Sequence, residues 1–177
     1  LSMGLLINES DPVAVRGPLA TRYVQQFLRN VAWGDVDFLI LDLPPGTGDI
    51  QLTIVQTAEL DGVVVVTTPQ EVALIDARKA IGLFERVETP ILGIIENMSY
   101  FQCPSDGKIY HIFGEGGGER EAAKLGVPLL GKIPLDISTR SGGDEGRPVA
   151  LEDPGQNPVS AAFRQVAEQC ARVVLDR

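Results

Sequence analysis

The sequence predicts an α/β fold: three layers, a mostly parallel sheet with helices on both faces, spanning residues 1–177 as a single domain. Three observations carry that expectation. Short apolar runs recur at residues 38–41, 63–67, 91–95 and 129–133, each as long as a strand buried on both faces. Stretches with helical spacing separate them, and repeated strand–helix–strand units of this length imply right-handed parallel crossovers. Third, Pro, Gly and Asn cluster where the runs end, as in Asp42-Leu43-Pro44-Pro45, Thr68-Pro69 and Glu96-Asn97.

The elements follow in order. Leu19, Tyr23, Phe27, Leu28 and Val31 mark an amphipathic helix, with Pro18 suited to its first turn. The run at 38–41 is the first expected strand. A helix over 51–60 leads to the strand at 63–67. Leu74, Ala77, Ile81 and Phe84 line one side of a helix over 72–87, before the strand at 91–95. Residues 114–118 and 141–146 are Gly-rich and read as loops flanking the strand at 129–133. A closing helix over 158–175, punctuated by Pro154 and Asn157, carries Val159, Phe163, Val166, Cys170 and Val173 in one stripe. That stripe makes Cys170 a core residue.

Composition narrows the function. With 15 basic and 24 acidic residues, a net charge of -9 and no basic run, the chain is unsuited to general binding of nucleic acid or anionic membrane. No apolar stretch is long enough to span a bilayer. The opening residues have no positive flank and no signal-peptide form, and the absence of an initiator Met points to a fragment. Two cysteines with little to pair them favour the cytoplasm.

The chemistry gathers at expected strand ends, where open α/β sheets bind ligands. Asp42 follows the first apolar run and is followed by Pro44-Pro45-Gly46-Thr47-Gly48-Asp49. A carboxylate there can hold Mg²⁺ through water while glycine N–H groups approach a terminal phosphate. The same aspartate also suits a helix N-cap. Asn97 either closes a turn or presents a donor and an acceptor to a purine edge. Ile133-Pro134-Leu135-Asp136 is equally open. Cys103 stands in a polar loop with no apolar face to bury it, and His111 is a nearby nitrogen ligand only if further ligands join it. No Gly-x-x-x-x-Gly-Lys-Ser/Thr loop occurs in the sequence.

Taken together, these motifs resemble the Mrp/ApbC family of P-loop ATPases, relatives of MinD that resemble carriers or scaffolds for iron–sulfur clusters. The resemblance rests on the Asp42-to-Asp49 stretch, Gln51-Leu52-Thr53, Thr67-Thr68-Pro69-Gln70, Glu96-Asn97-Met98-Ser99-Tyr100, Ile112-Phe113-Gly114 and Ile133-Pro134-Leu135-Asp136. Arg16-Gly17-Pro18 and Val31-Ala32-Trp33-Gly34 also match, so the likeness runs from residue 1 to about 153. It implies a P-loop NTPase-like domain truncated at the N-terminus, with ATP and Mg²⁺ as cofactors. Asp42 would be the Mg²⁺-water ligand. Pro45 and Gly46 would lie at the nucleotide, with the Gly46 N–H near the γ-phosphate. Asn97 would read adenine, with Pro134, Leu135 and Asp136 lining the base pocket. Cys103 would supply a thiolate to a [4Fe-4S] cluster bridging a homodimer, for delivery to iron–sulfur apoproteins.

Two departures qualify those implications. The family's amino-terminal third, with its Walker A lysine, has no counterpart here, so ATP hydrolysis by this polypeptide alone is not expected. An open apolar sheet edge is expected for the same reason. In the Cys-Pro-x-Cys motif the second position is Asp106, so one thiolate per chain is available and Asp106 becomes an oxygen-ligand candidate. Two rival functions remain: a non-catalytic dimerisation module, and a MinD-like positioning ATPase. The latter is disfavoured because residues 158–177 lack a strongly basic amphipathic face.

Overall fold

A computed structural model describes residues 1–2 and 17–176. The residues from Met3 to Arg16, including the Arg16 match, lie outside the described residues. The chain forms two compact units, Leu1–Leu60 and Asp61–Arg177.

The first unit holds α1 (Gly17–Asn30) and α2 (Asp49–Thr57), which pack together. The indole N–H of Trp33 donates to the Phe27 carbonyl at 3.2 Å and ties the chain leaving α1 back to its last turns. The expected strand at 38–41 does not form: these residues pair with no strand among the described residues. Phe38 is 47% exposed and Ile40 87%. The physical reason is that a strand exists only through its ladder, and an apolar run without a neighbour stays open.

The second unit is the α/β core. Its sheet has the order β1 (Val63–Thr67), β2 (Ile91–Glu96), β5 (Leu129–Lys132), all parallel. Helix α3 (Glu71–Arg86) joins β1 to β2, and α4 (Gly117–Leu125) leads into β5. Between β2 and α4 a small antiparallel hairpin, β3 (Phe101–Gln102) and β4 (Ile109–Tyr110), stands apart from the main sheet. Helix α5 (Ile137–Asp144), a short 3-10 turn (Val149–Leu151) and α6 (Pro158–Leu175) complete the chain. The expected loop at 141–146 is therefore partly helical, and Gly117 and Gly118 of the expected loop at 114–118 open α4.

The core is the cluster of Val65, Ile81, Ile94 and Ala122, joining β1, α3, β2 and α4. Such burial is worth about 1.5–3 kcal/mol for each large apolar side chain. On the other face α6 lies against β5 and β2, and the space above Gly131 is taken by Val166. Asn157 caps α6 by accepting from the Val159 and Ser160 N–H groups, with Pro158 at the first helical position. Cys170 lies on α6, half-buried, where burial pushes its thiol up in pKa.

Helices α3 and α4 are also bolted by charge. Arg78 donates from Nε and a terminal nitrogen to the two oxygens of buried Glu121, at 2.8 and 2.7 Å, and Lys124 adds a third bond at 2.9 Å. The Arg78 guanidinium, outweighing burial, pulls Glu121 down to about 2. A folded pKa below the unfolded value of 4.5 gives stability that is complete above about pH 5 and is lost as pH falls toward 2. Glu121→Gln is expected to cost on the order of 2 kcal/mol at pH 7 and to narrow that gap by pH 2.5, read by denaturant melts. Gly117→Ala is expected to cost about 1–3 kcal/mol in the same melts, because its Cβ would sit 2.6 Å from the Pro69 carbonyl oxygen.

Candidate nucleotide and cluster site

The site residues fall in both units, and each set is described within its own unit. In the first, Asp42 is exposed and begins the loop that ends at α2. Gln51 shapes this loop. Its side chain is buried, donates to the Pro44 carbonyl at 2.7 Å and accepts from the Gly48 N–H at 3.0 Å. The second bond satisfies one of the donors left free at the start of α2, half of a capping box. Between those anchors Gly46 takes φ +101°, a region that favours glycine, and a Cβ there would meet nothing within 4 Å. An exposed carboxylate beside a glycine with open space fits a hydrated Mg²⁺ and an approaching phosphate.

In the second unit the three parallel strands end at one edge, and the structure brings the residues after them together. The Asn97 N–H donates to the Thr67 carbonyl at 2.7 Å, and the Ile133 N–H donates to the Glu96 carbonyl at 2.9 Å. The Ser99 N–H then reaches the Ile133 carbonyl at 3.0 Å, and the Leu135 N–H the Tyr100 carbonyl at 2.8 Å. Asn97 thus adjoins the 133–136 segment. Its Oδ1 accepts from the Met98 N–H at 2.9 Å, in a turn where Met98 has φ 52°. Thr68 Oγ1 is buried at this edge without a hydrogen-bond partner. Asp136 caps α5: its Oδ2 accepts from the Ser138 hydroxyl and from the Thr139 N–H and hydroxyl. Burial opposes its ionisation, yet these donors hold Asp136 below the usual carboxylate range.

The chain then rises into the β3–β4 hairpin, whose connection carries Cys103. The Cys103 N–H donates to the Lys108 carbonyl at 2.9 Å, and the Gly107 N–H to the Cys103 carbonyl at 2.8 Å. Cys103 Sγ lies 3.0 Å from Ser105 Oγ. The Lys108 N–H, then the Cys103 thiol, bond to Asp106 and lower its pKa. Cys103 and Asp106 are therefore neighbours in one tight turn. His111 is turned to Glu115 instead, at 3.6 Å. Among the described residues no three His, Cys, Asp or Glu side chains converge to hold a metal ion.

Sequence reasoning gave no role to Gln51 or Glu96. Gln51 was findable from its spacing, three residues after Gly48 ahead of a helix. Glu96 lacked such a signal, because a glutamate at the end of an apolar run does not announce that it is buried.

Comparison with known proteins bears on the family and the fold. A family model described as "ParA: NUBPL iron-transfer P-loop NTPase" matches residues 1–171. An iron–sulfur cluster carrier protein from Pyrococcus furiosus is 48% identical over 169 residues, covering 96% of this chain and 57% of that protein. The chain thus spans little more than half of this relative's length. A nucleotide-binding protein from Archaeoglobus fulgidus, solved in complex with ADP, superposes with a TM-score of 0.66 at 43% identity, over 73% of this chain and 53% of the other. The cell division ATPase MinD from Pyrococcus furiosus shares the fold, with a TM-score of 0.64 at 24% identity over 86% of this chain and 59% of the other. No helix among the described residues is long and apolar enough to cross a membrane. Matched by that family model over residues 1–171 and 48% identical to an iron–sulfur cluster carrier protein over 169 residues, this chain belongs to the NUBPL-type iron-transfer P-loop NTPases, the Mrp/ApbC family.

Proposed function

We propose that this chain is the nucleotide-responsive part of an iron–sulfur cluster carrier, folding as one P-loop NTPase-like domain and acting as a homodimer in the cytoplasm. The observation that carries this reading is the shared edge of the second unit, where Asn97 adjoins the 133–136 segment and the same turn leads into the Cys103 hairpin. Asn97 would recognise adenine through its amide, with Pro134, Leu135 and Asp136 beside the base. The Gly46 N–H would meet the terminal phosphate, next to Pro45, and Asp42 would hold Mg²⁺ through water. The bound metal would neutralise phosphate charge. The cluster is cargo. Each chain would bring the Cys103 thiolate and the Asp106 carboxylate, so a pair of chains would hold a [4Fe-4S] cluster with two sulfur and two oxygen ligands. Carboxylate ligation weakens the hold on iron relative to four thiolates, which suits a cluster that is passed to apoproteins. ATP binding would bias the pairing of the Cys103 hairpins and so couple nucleotide state to release.

Calorimetric titration with ADP and Mg²⁺ tests the nucleotide half. Binding is expected for the wild type, and Asn97→Ala is expected to weaken it about tenfold, or 1.4 kcal/mol. Asp42→Ala is expected to remove its dependence on Mg²⁺. The sequence lacks a Walker A lysine, so phosphate release from ATP by this chain alone is expected to stay at the buffer rate.

Anaerobic reconstitution with iron and sulfide tests the cargo half. Sulfide-to-iron charge-transfer bands are expected in the wild type and in Cys170→Ser, and their loss in Cys103→Ala. A colourless wild type after reconstitution would instead favour the non-catalytic dimerisation module.

A further inference from the structure

Glu96 is fully buried at the end of β2, and its carboxylate has two donors. Oε1 accepts from the Ser99 hydroxyl at 2.5 Å, and Oε2 accepts from the Gly118 N–H at 2.7 Å, in the first turn of α4. Those two donors are the two ends of the excursion at 99–118, which leaves the sheet, forms the hairpin bearing Cys103 and returns to α4. Among the described residues, Glu96 is the side chain whose hydrogen bonds reach both stems of that excursion. The next residue, Asn97, is tied to β1 through the Thr67 carbonyl. The fit is close: a Cβ at Gly118 would lie 3.1 Å from Glu96 Cβ and 3.2 Å from its Oε2.

We infer that Glu96 is a positioning residue: its carboxylate clamps both stems of the Cys103 hairpin to the Asn97 turn and transmits displacement of one to the other. The functional meaning of this clamp rests on the reading of Asn97 and Cys103 above. The clamp itself rests only on the two hydrogen bonds and their place in the chain. A shift of the Asn97 turn carries Glu96 with it through one peptide unit, and neither stem can keep its bond without following.

The test uses the whole chain with Cys170→Ser as background, so that Cys103 is the thiol that reacts. Glu96→Met keeps the volume but removes both acceptors. It is expected to raise the rate of Cys103 alkylation by iodoacetamide at least fivefold, and amide exchange across 99–118 at least tenfold, with β1 and β5 unchanged. Glu96→Gln can accept from the Gly118 N–H and donate to Ser99 Oγ, and is expected to stay within twofold of the background protein. Ser99→Ala releases one stem and is expected to raise exchange at 99–103 more than at 114–118, which judges the clamp even if Glu96→Met fails to fold. Unchanged alkylation and exchange in the variants, or a uniform rise over the whole sheet, would overturn the inference. ADP separates it from the wider reading. If ADP binds and changes Cys103 reactivity by the same factor with and without Glu96, the clamp does not transmit and the inference falls. If ADP does not bind, the reading of Asn97 fails, and the alkylation and exchange results alone decide for or against the clamp.

Discussion

Glu96 is fully buried, and its carboxyl group is tolerable there because two donors face it, one of them in the first turn of a helix. Much of the second unit is arranged around meeting that demand. The carboxyl group needs a backbone N–H at close range, so α4 begins beside the end of β2, and a Cβ on the residue presenting that N–H would crowd Glu96 at 3.1 Å. Gly117 meets a similar limit against Pro69 on the β1 side. Two strand ends and one helix start are thereby drawn to a single point, with the apolar cluster of Val65, Ile81, Ile94 and Ala122 holding the same elements below it. The half-exposed Arg78 fastens helix to helix through buried Glu121, whereas Glu96 fastens a sheet end to a loop.

The second unit was largely legible before its coordinates. Val63 to Thr67 and Pro158 to Leu175 match the elements observed, and Glu71–Arg86 differs by one residue at each end from the helix read from Leu74, Ala77, Ile81 and Phe84. The helices have a long hydrophobic period, and the strand is an apolar run paired along its length with β2, although Val66 on it is 59% exposed. The run at 38–41 has the same local pattern and forms no strand, because pairing is a property of neighbours that no single segment encodes. The β3–β4 hairpin escaped for the opposite reason: two residues per strand are too few to show alternation.

The site was legible in its residue types and less so in their engagements. Asn97 and the 133–136 segment do share an edge, as parallel strand ends imply. Asp136, however, spends one carboxylate oxygen on capping α5, and Gly117 and Gly118 turn out to open a helix. Both outcomes follow from backbone donors at helix starts needing acceptors. Asp106 gains a physical setting too: its Oδ1 accepts from the Lys108 N–H at 3.0 Å, while the Cys103 N–H donates to the Lys108 carbonyl, so one turn holds a thiol and a carboxyl group as neighbours.

Gln51 stitches the Pro44 carbonyl to the Gly48 N–H across the Gly46 bend. A flexible glycine segment would normally surrender its freedom at the moment a guest arrives, weakening the association. Here the two Gln51 hydrogen bonds hold the segment in the folded chain, so part of that freedom is already given up on folding. The same stitch fixes the lead-in to α2, because the Gln51 that holds the bend is itself a residue of that helix's first turn.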